Sequence, residues 1–382
     1  MESVFVSFVI PAFNAQKSIV NCIKSIQCQN YENQYYEIIV VDNCSTDSTA
    51  KLVKEFKNVT YIYESTKGRS YARNTGARHT SGKLIAFIDA DVCLDANWLA
   101  NLVSCFNNNH VGACQGKIIP SNNDGQESLN KFRIRQQLDS TFNSNIILKL
   151  MYVESPMINS AACIYRKEAF NFVEGFDTNL ERHEDIDLSK RLSLAGYDLA
   201  AKSDAIALVE YHGEGWISYF KRTFREGFTK NAYNEKWGII FAKLSKEEAT
   251  NAPSKKSFTK IEKMKLNIYL VIDEIIINIF KSVLYIDFYF LIKAINSIFK
   301  SLGRIFGVMY CPYRGVPMVK MNENLLKRKV NSQEDIKLEL DDGIRFVYVD
   351  NDLSYMINIF TSDFFNLSNF KSLRKILYYI EN

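Results

Sequence analysis

The residues best suited to chemistry are Asp89 and Asp91, two carboxylates separated by Ala90 where the apolar run Leu84–Ile88 ends. On an extended backbone, side chains at i and i+2 point to the same side. At the end of a buried strand they leave the core together and face a crevice. Such a pair suits a hard divalent cation, Mn²⁺ or Mg²⁺, shared with a diphosphate, because these ions take oxygen ligands and keep positions open for phosphate. A helix cap or a turn explains the same spacing, so context decides. A second acidic group, Glu184, Asp185 and Asp187, stands before Leu188. As bare chemistry it reads as the acidic N-terminus of a helix, complementing the helix dipole.

The elements that must position these residues come from the apolar pattern. Val4–Ile10 reads as a buried strand ended by Pro11, and a helix follows with Ile19, Ile23 and Ile26 on one face. Glu37–Val41 is a second strand, ended by Asp42 and Asn43. The polar run Ser45–Thr49 then starts a helix carrying Leu52, Val53 and Phe56. Val59–Tyr63 is a third strand, Ser70 caps a helix through Ala77, and Leu84–Ile88 is the fourth strand, with a helix marked by Trp98, Leu99 and Leu102. Strand alternating with helix predicts right-handed βαβ units and a mostly parallel sheet flanked by helices. Ligands of such sheets bind beyond the carboxyl ends of the strands, and Asn14, Asp42 and Asp89 lie at or past three such ends.

Further strands are expected at Val111–Ile119, Ala161–Tyr165 and Ile206–Tyr211. Residues 214–265 read as helical and basic. Residues 268–309 are rich in Ile, Leu, Phe and Tyr but broken by Asp273, Glu274, Lys281, Asp287 and Lys293. That pattern fits either docking helices or a helical hairpin lying on a membrane surface, and falls short of the roughly 20 apolar residues of a membrane span. Cys311–Pro317 reads as a linker. Asp341-Asp342-Gly343, between Ile336–Leu340 and Ile344–Val349, is a β-hairpin signal before a terminal helix from about Lys371. The expected organisation is a catalytic domain over 1–220, a helical extension over 221–310 and a small C-terminal α+β accessory module over 311–382.

Composition limits the function classes. The 382 residues are 47% apolar and 24% charged, as in a globular enzyme, and a net charge of +4 is too small for a nucleic-acid binder. The eight cysteines form no C-x-x-C pair, which with only four histidines argues against zinc and for a reducing compartment. The chain opens almost directly on a strand instead of a signal peptide, so a cytoplasmic location is expected, including the inner face of the membrane.

Five segments in order resemble the family 2 glycosyltransferases with a GT-A (Rossmann-like) fold, over about residues 6–216. They are Val9-Ile10-Pro11-Ala12-Phe13-Asn14, Val40–Asp47, Ala72–Ala77, Phe87–Asp91, and Gly175-Phe176-Asp177 followed by Glu184–Leu188 and Arg191-Leu192. The resemblance implies that Pro11, Ala12, Phe13 and Asn14 offer groups to a nucleobase and ribose, and that Asp42 reads the base, suggesting a UDP-sugar. Arg73, with Asn74, would stand beside the diphosphate, Arg73 as a charge-assisted donor. Asp89 and Ala90 would meet the nucleotide sugar, and Asp91 and Asp89 would hold Mn²⁺ or Mg²⁺. Asp185, beside Glu184, would be the base of an inverting transfer. His212 would add a metal ligand, as a late histidine does in several GT-A enzymes; a lone loop histidine with a hydrogen-bonding role is the plainer reading. Where the family has a second acidic residue and a glycine, this chain has Asn43 and Cys44, which loosens the assignment of the base.

The function implied is sugar transfer from a nucleotide sugar to the hydroxyl of a glycan, lipid-linked or peptide acceptor, in bacterial surface glycan synthesis. A peptide- or protein-directed transferase using its C-terminal module to hold the acceptor is one alternative. A non-catalytic nucleotide-sugar binder is another, disfavoured by the Glu184-Asp185 pair. A nucleotidyltransferase would need a glycine-rich phosphate loop that Pro11–Asn14 lacks. A membrane-surface scaffold would rest on residues 268–309.

Overall fold

Alternation along the first strand already sets two layers. In β1 (Val6–Ala12), Val6, Phe8 and Ile10 face one core and Val9 the other. The computed structural model describes residues 4–121, 129, 146–148, 158–210, 215–248 and 288–310. The remaining strands are β2 (Tyr36–Asp42), β3 (Val59–Tyr63), β4 (Leu84–Ile88), β5 (Val92–Leu94), β6 (Val111–Pro120), β7 (Ile146–Leu148), β8 (Ala162–Arg166) and β9 (Asp198–Val209). The helices of the sheet domain are α1 (Ile19–Gln27), α2 (Thr49–Lys54), α3 (Arg69–Arg78), α4 (Trp98–Val103), α5 (Lys167–Phe172) and α6 (Glu184–Leu194).

Among the described residues the strands form one nine-stranded sheet in the order β3-β2-β1-β4-β8-β6-β9-β5, with β7 also paired to β9. β1 to β4 are mutually parallel. β8 runs antiparallel to β4 and β6, β6 and β9 are parallel, and β5 and β7 oppose β9. The sheet is thus mixed but mostly parallel. Strand order turns back at β1, the kind of switch point beside which ligands of α/β sheets bind.

Two apolar layers cover the sheet. α1 and α4 lay Ile19, Ile23, Ile26, Trp98 and Leu99 on one face. On the other, Phe87, Tyr165, Phe170 and Phe176 pack ring against ring, with centroids 5.2 to 6.2 Å apart. α3 lies so close to β1 and β2 that a Cβ on Gly76 would come 2.3 Å from Val9 Cγ1. That approach sets the height of α3 above the crevice.

Local details depart from expectation. Pro11 does not end β1: the strand continues to Ala12, because pairing with β4 stops at Val9 and the missing N–H of Pro11 breaks no ladder there. The N-cap of α3 is Gly68 at φ +143°, a backbone few other residues adopt, and Ser70 sits inside the helix. Asp89-Ala90-Asp91 lies not on extended backbone but in a turn, closed by Val92 N donating to Asp89 O at 3.0 Å, since the chain must swing into β5. The strand expected to begin at Ile206 begins at Asp198.

Beyond the sheet, α7 (Trp216–Glu248) packs along α8 (Phe288–Tyr310). The two cross at Gly227, where a Cβ would meet Lys300 O at 1.7 Å, and the rings of Phe220 and Phe299 stack at 5.0 Å. Ile298, Leu302 and Phe306 of α8 are exposed. No helix among the described residues is long and apolar enough to cross a membrane. The 311–317 linker, the 336–349 hairpin and the terminal helix lie outside the described residues.

Candidate active site

The loops after β1 and β2 form the first wall of the crevice, and they are tied to each other. Asn14, at φ +49°, donates its N–H to Ser45 Oγ at 3.0 Å and accepts from Thr46 N at 2.8 Å. Asp42, 2% exposed at the end of β2, accepts from Ser45 N at 2.9 Å and from the Tyr61 hydroxyl at 2.8 Å. Burial and Asp42 together push the Tyr61 phenol up to about 12, so it stays a donor. Phe13 is half exposed, with Lys67 Nζ 5.0 Å above its ring, whereas Ala12 is buried beneath. Asn43 holds the chain entering α3, donating to Thr66 O at 2.7 Å and accepting from Gly68 N at 2.8 Å. The asparagine that departs from the family pattern therefore has a structural task.

The second wall joins residues far apart in sequence. Arg73, 1% exposed, donates through Nη2 to Asp89 at 2.7 Å and through Nη1 to Glu184 at 2.9 Å, with its guanidinium 5.3 Å from the Phe176 ring. Burial opposes its charge, but Asp89 and Glu184 more than restore it. Arg73 is thus a buried cation bridging two carboxylates. Asn74 likewise points inward, donating to Phe176 O at 2.8 Å and accepting from Phe176 N at 3.0 Å. It fixes the Gly175–Asp177 loop, in which Gly175 adopts φ +67°.

Asp91 and Asp185 each adjoin the second wall, Asp91 beside Asp89 and Asp185 beside Glu184 and Arg73. Burial first, then the Asp89 charge, pushes Asp91 up to about 7, against the pull of Arg69 and Arg222. Burial and Glu184 push Asp185 up to about 7, although Ile186 N donates to its Oδ1 at 2.8 Å. Asp89, with Oδ1 on Arg73, is tethered through its N–H to Ala161 O at 2.8 Å. Ala90 is buried between the two aspartates. The ligand set on offer is hard carboxylate oxygen under mutual repulsion, which a divalent cation relieves; two carboxylates plus phosphate suit Mg²⁺ or Mn²⁺. Among the described residues no group of three or more His, Cys, Asp or Glu is placed to hold a metal ion. His212 lies outside the described residues. Trp216 stacks on Phe220 at 5.9 Å.

Sequence reasoning missed the other arginines of this rim. Arg69, at the start of α3, is half exposed with Nη1 3.8 Å from Glu184. Arg182 faces the fields of Arg69, Arg222 and Arg225 and pairs with Glu226 at 3.6 Å. The signal for Arg69 was its place directly after Gly68, at a helix start beside the crevice; Arg222 carried no signal because it lies in a basic helix with no motif around it.

Residues 7–173 match the family described as Glycosyl transferase family 2. The chain is 28% identical over 231 residues to the glycosyltransferase AglE of Haloferax volcanii, covering 58% of this chain and 72% of AglE. It is 34% identical over 127 residues to WfgD of Escherichia coli, a UDP-Glc:α-D-GlcNAc-diphosphoundecaprenol β-1,3-glucosyltransferase, covering 32% of this chain and 49%, about half, of WfgD. The mannosyltransferase PcManGT of Pyrobaculum calidifontis shares the fold, with a TM-score of 0.53 at 17% identity over 81% of this chain and 88% of its own. Sheet order and motifs agree with these likenesses: residues 7–173 carry the match to Glycosyl transferase family 2, on a sheet of the GT-A type.

Proposed function

We propose that the protein is an inverting, metal-dependent glycosyltransferase that moves a sugar from a UDP-sugar to an acceptor hydroxyl of a growing or lipid-linked glycan. One observation carries this reading. Arg73 joins Asp89, where a diphosphate-linked cation would sit, to Glu184, 111 positions away and next to Asp185. Donor-holding and proton-accepting carboxylates are thereby locked into one crevice.

Each residue has a task in that reading. Asp42, held by the Tyr61 hydroxyl, and the Phe13–Asn14 turn present the base and ribose surface. Arg69 and Arg222 add positive charge opposite the leaving diphosphate. Mn²⁺ or Mg²⁺ on Asp91 and Asp89 would supply the remaining neutralisation of the diphosphate. Asp185, whose carboxyl titrates near neutrality, takes the proton of the acceptor hydroxyl as that oxygen attacks the anomeric carbon from the side opposite the diphosphate. Attack from that side inverts the anomeric configuration. WfgD, which acts on a diphosphoundecaprenol-linked sugar, supports a lipid-linked acceptor for this chain too, and the arginine rim would suit its phosphates.

The test is a panel of nucleotide sugars with Mn²⁺ and lipid-linked or free glycosyl acceptors, followed by product release and by NMR of the new anomeric proton. A β-linked product from an α-linked UDP-sugar is the expected result. Retention of configuration, or use of no nucleotide sugar, would overturn it.

A further inference from the structure

We infer that Lys236, on α7, is a positioning residue for the base-bearing helix α6; the inference rests on the reading of Asp185 as base. Lys236 is 2% exposed, and its ammonium lies 2.7 Å from Asp177 Oδ2 and 2.6 Å from Asp187 Oδ1. Asp177 closes the Gly175–Asp177 loop that leads toward α6. Asp187 is fully buried in the first turn of α6, two residues after Asp185. A single ammonium from outside the family-matched segment therefore clips the acceptor-side loop to the turn that carries the base.

The rest of the network shows that the clip is one member of a frame. Arg191 binds the other oxygen of Asp187 at 2.7 Å, donates to Gly175 O at 2.7 Å and also to Val173 O. Two acids and two bases thus balance inside the fold, so neither cation can leave without stranding a buried carboxylate. From the opposite side Asn74 holds Phe176, and Phe176 lies under Arg73. α7 makes a second attachment one residue before Glu184. The ring of His183, whose backbone is at φ +66°, has Nε2 3.0 Å from Glu226 O, and Arg225 pairs with Glu181. Burial lowers the His183 pKa to about 4, which keeps the ring neutral at that contact. The direction of Asp185 is consequently fixed from α7 as well as from the sheet, and the helix works as part of the catalytic frame. Misplacing a reacting group by roughly 1 Å costs on the order of 100-fold in rate.

The experiment compares full-length wild type, Lys236→Met and Asp177→Asn in sugar transfer, with rates expressed per donor-binding site titrated by UDP and Mn²⁺. Lys236→Met is expected to lower kcat per site by about tenfold or more while donor KM stays within about twofold, the pattern of a group that acts on the chemical step alone. Asp177→Asn keeps the Lys236–Asp187 pair and is expected to show a smaller fall of the same kind; it decides the matter if Lys236→Met does not fold. A purely structural lysine would reduce the number of sites and leave kcat per site at the wild-type value in both variants, and that result overturns the inference. Wild type that transfers no sugar overturns the transferase reading, and this one with it.

Discussion

Replacing Asp185 by Asn should make the ligand-free protein more stable, and increasingly so as pH rises. The carboxyl is raised from its ordinary 3.8 to about 7, by burial first and then by Glu184. Between those two values the native state keeps a proton that the unfolded chain has released. Stability therefore falls as pH rises through that window, by about 1.4 kcal/mol per pH unit, and levels off above about pH 7. From about pH 5 to about pH 8 the full effect would be about 3 kcal/mol; solvent still reaches this carboxyl, so about 2 kcal/mol is the working figure. Asn keeps an oxygen to accept from Ile186 N, which donates to Asp185 at 2.8 Å, but cannot ionise. Relative to wild type, the variant should gain about 2 kcal/mol between the two pH values, or about 4–8 °C in Tm for a domain of this size. The assay is urea unfolding of both proteins at each pH in chelator, without nucleotide. Asp91 and His183 also titrate outside their ordinary ranges, but their contributions cancel in the difference. Parallel stability–pH curves, or a variant less stable than wild type at the higher pH, would refute the reasoning.

Other perturbations probe the frame. Arg73→Ala strands the buried Glu184 and takes the partner from the partly exposed Asp89, and should cost about 3–5 kcal/mol by chemical denaturation. Gly76→Ala drives a methyl into Val9 and should cost about 1–3 kcal/mol, with weaker donor binding as α3 is pushed off the sheet; denaturation and UDP titration read the two effects. Tyr61→Phe removes the hydroxyl that holds Asp42 and should cost about 1–3 kcal/mol, with lower UDP affinity than wild type in calorimetry. Chelation should abolish the thermal stabilisation given by a UDP-sugar, which for a ligand at about 100 times its Kd amounts to about 2.7 kcal/mol.

Much of the framework was legible because short buried runs and turn residues announce themselves. β3 and β4 fall on their expected residues, and the Ile19, Ile23 and Ile26 face of α1 is buried as its spacing requires. Pro11 and Ser70 misled because their usual meanings are local, while what decided them was pairing on one side of β1 and the left-handed backbone at Gly68. The carboxylates stood out by type and position. What Arg73 and Asn74 do did not, since an inward-facing helix side chain finds its partner only when α3, β4 and the 175–184 segment have packed. The least readable contact joins Asp177 to Lys236 across 59 positions, from a basic helix whose sequence looks like a solvated extension.

The central claim is the proposed division of labour among carboxylates in one crevice: Asp91 and Asp89 would hold the donor with its cation, and Asp185 would do the chemistry. Donor binding and sugar transfer measured side by side in Asp91→Asn and Asp185→Asn test it most directly. The expected result is that Asp91→Asn loses Mn²⁺-dependent UDP-sugar binding and transfer together, while Asp185→Asn binds the donor as wild type does and transfers nothing. Transfer by Asp185→Asn, or Mn²⁺-dependent donor binding by Asp91→Asn equal to that of wild type, would contradict it.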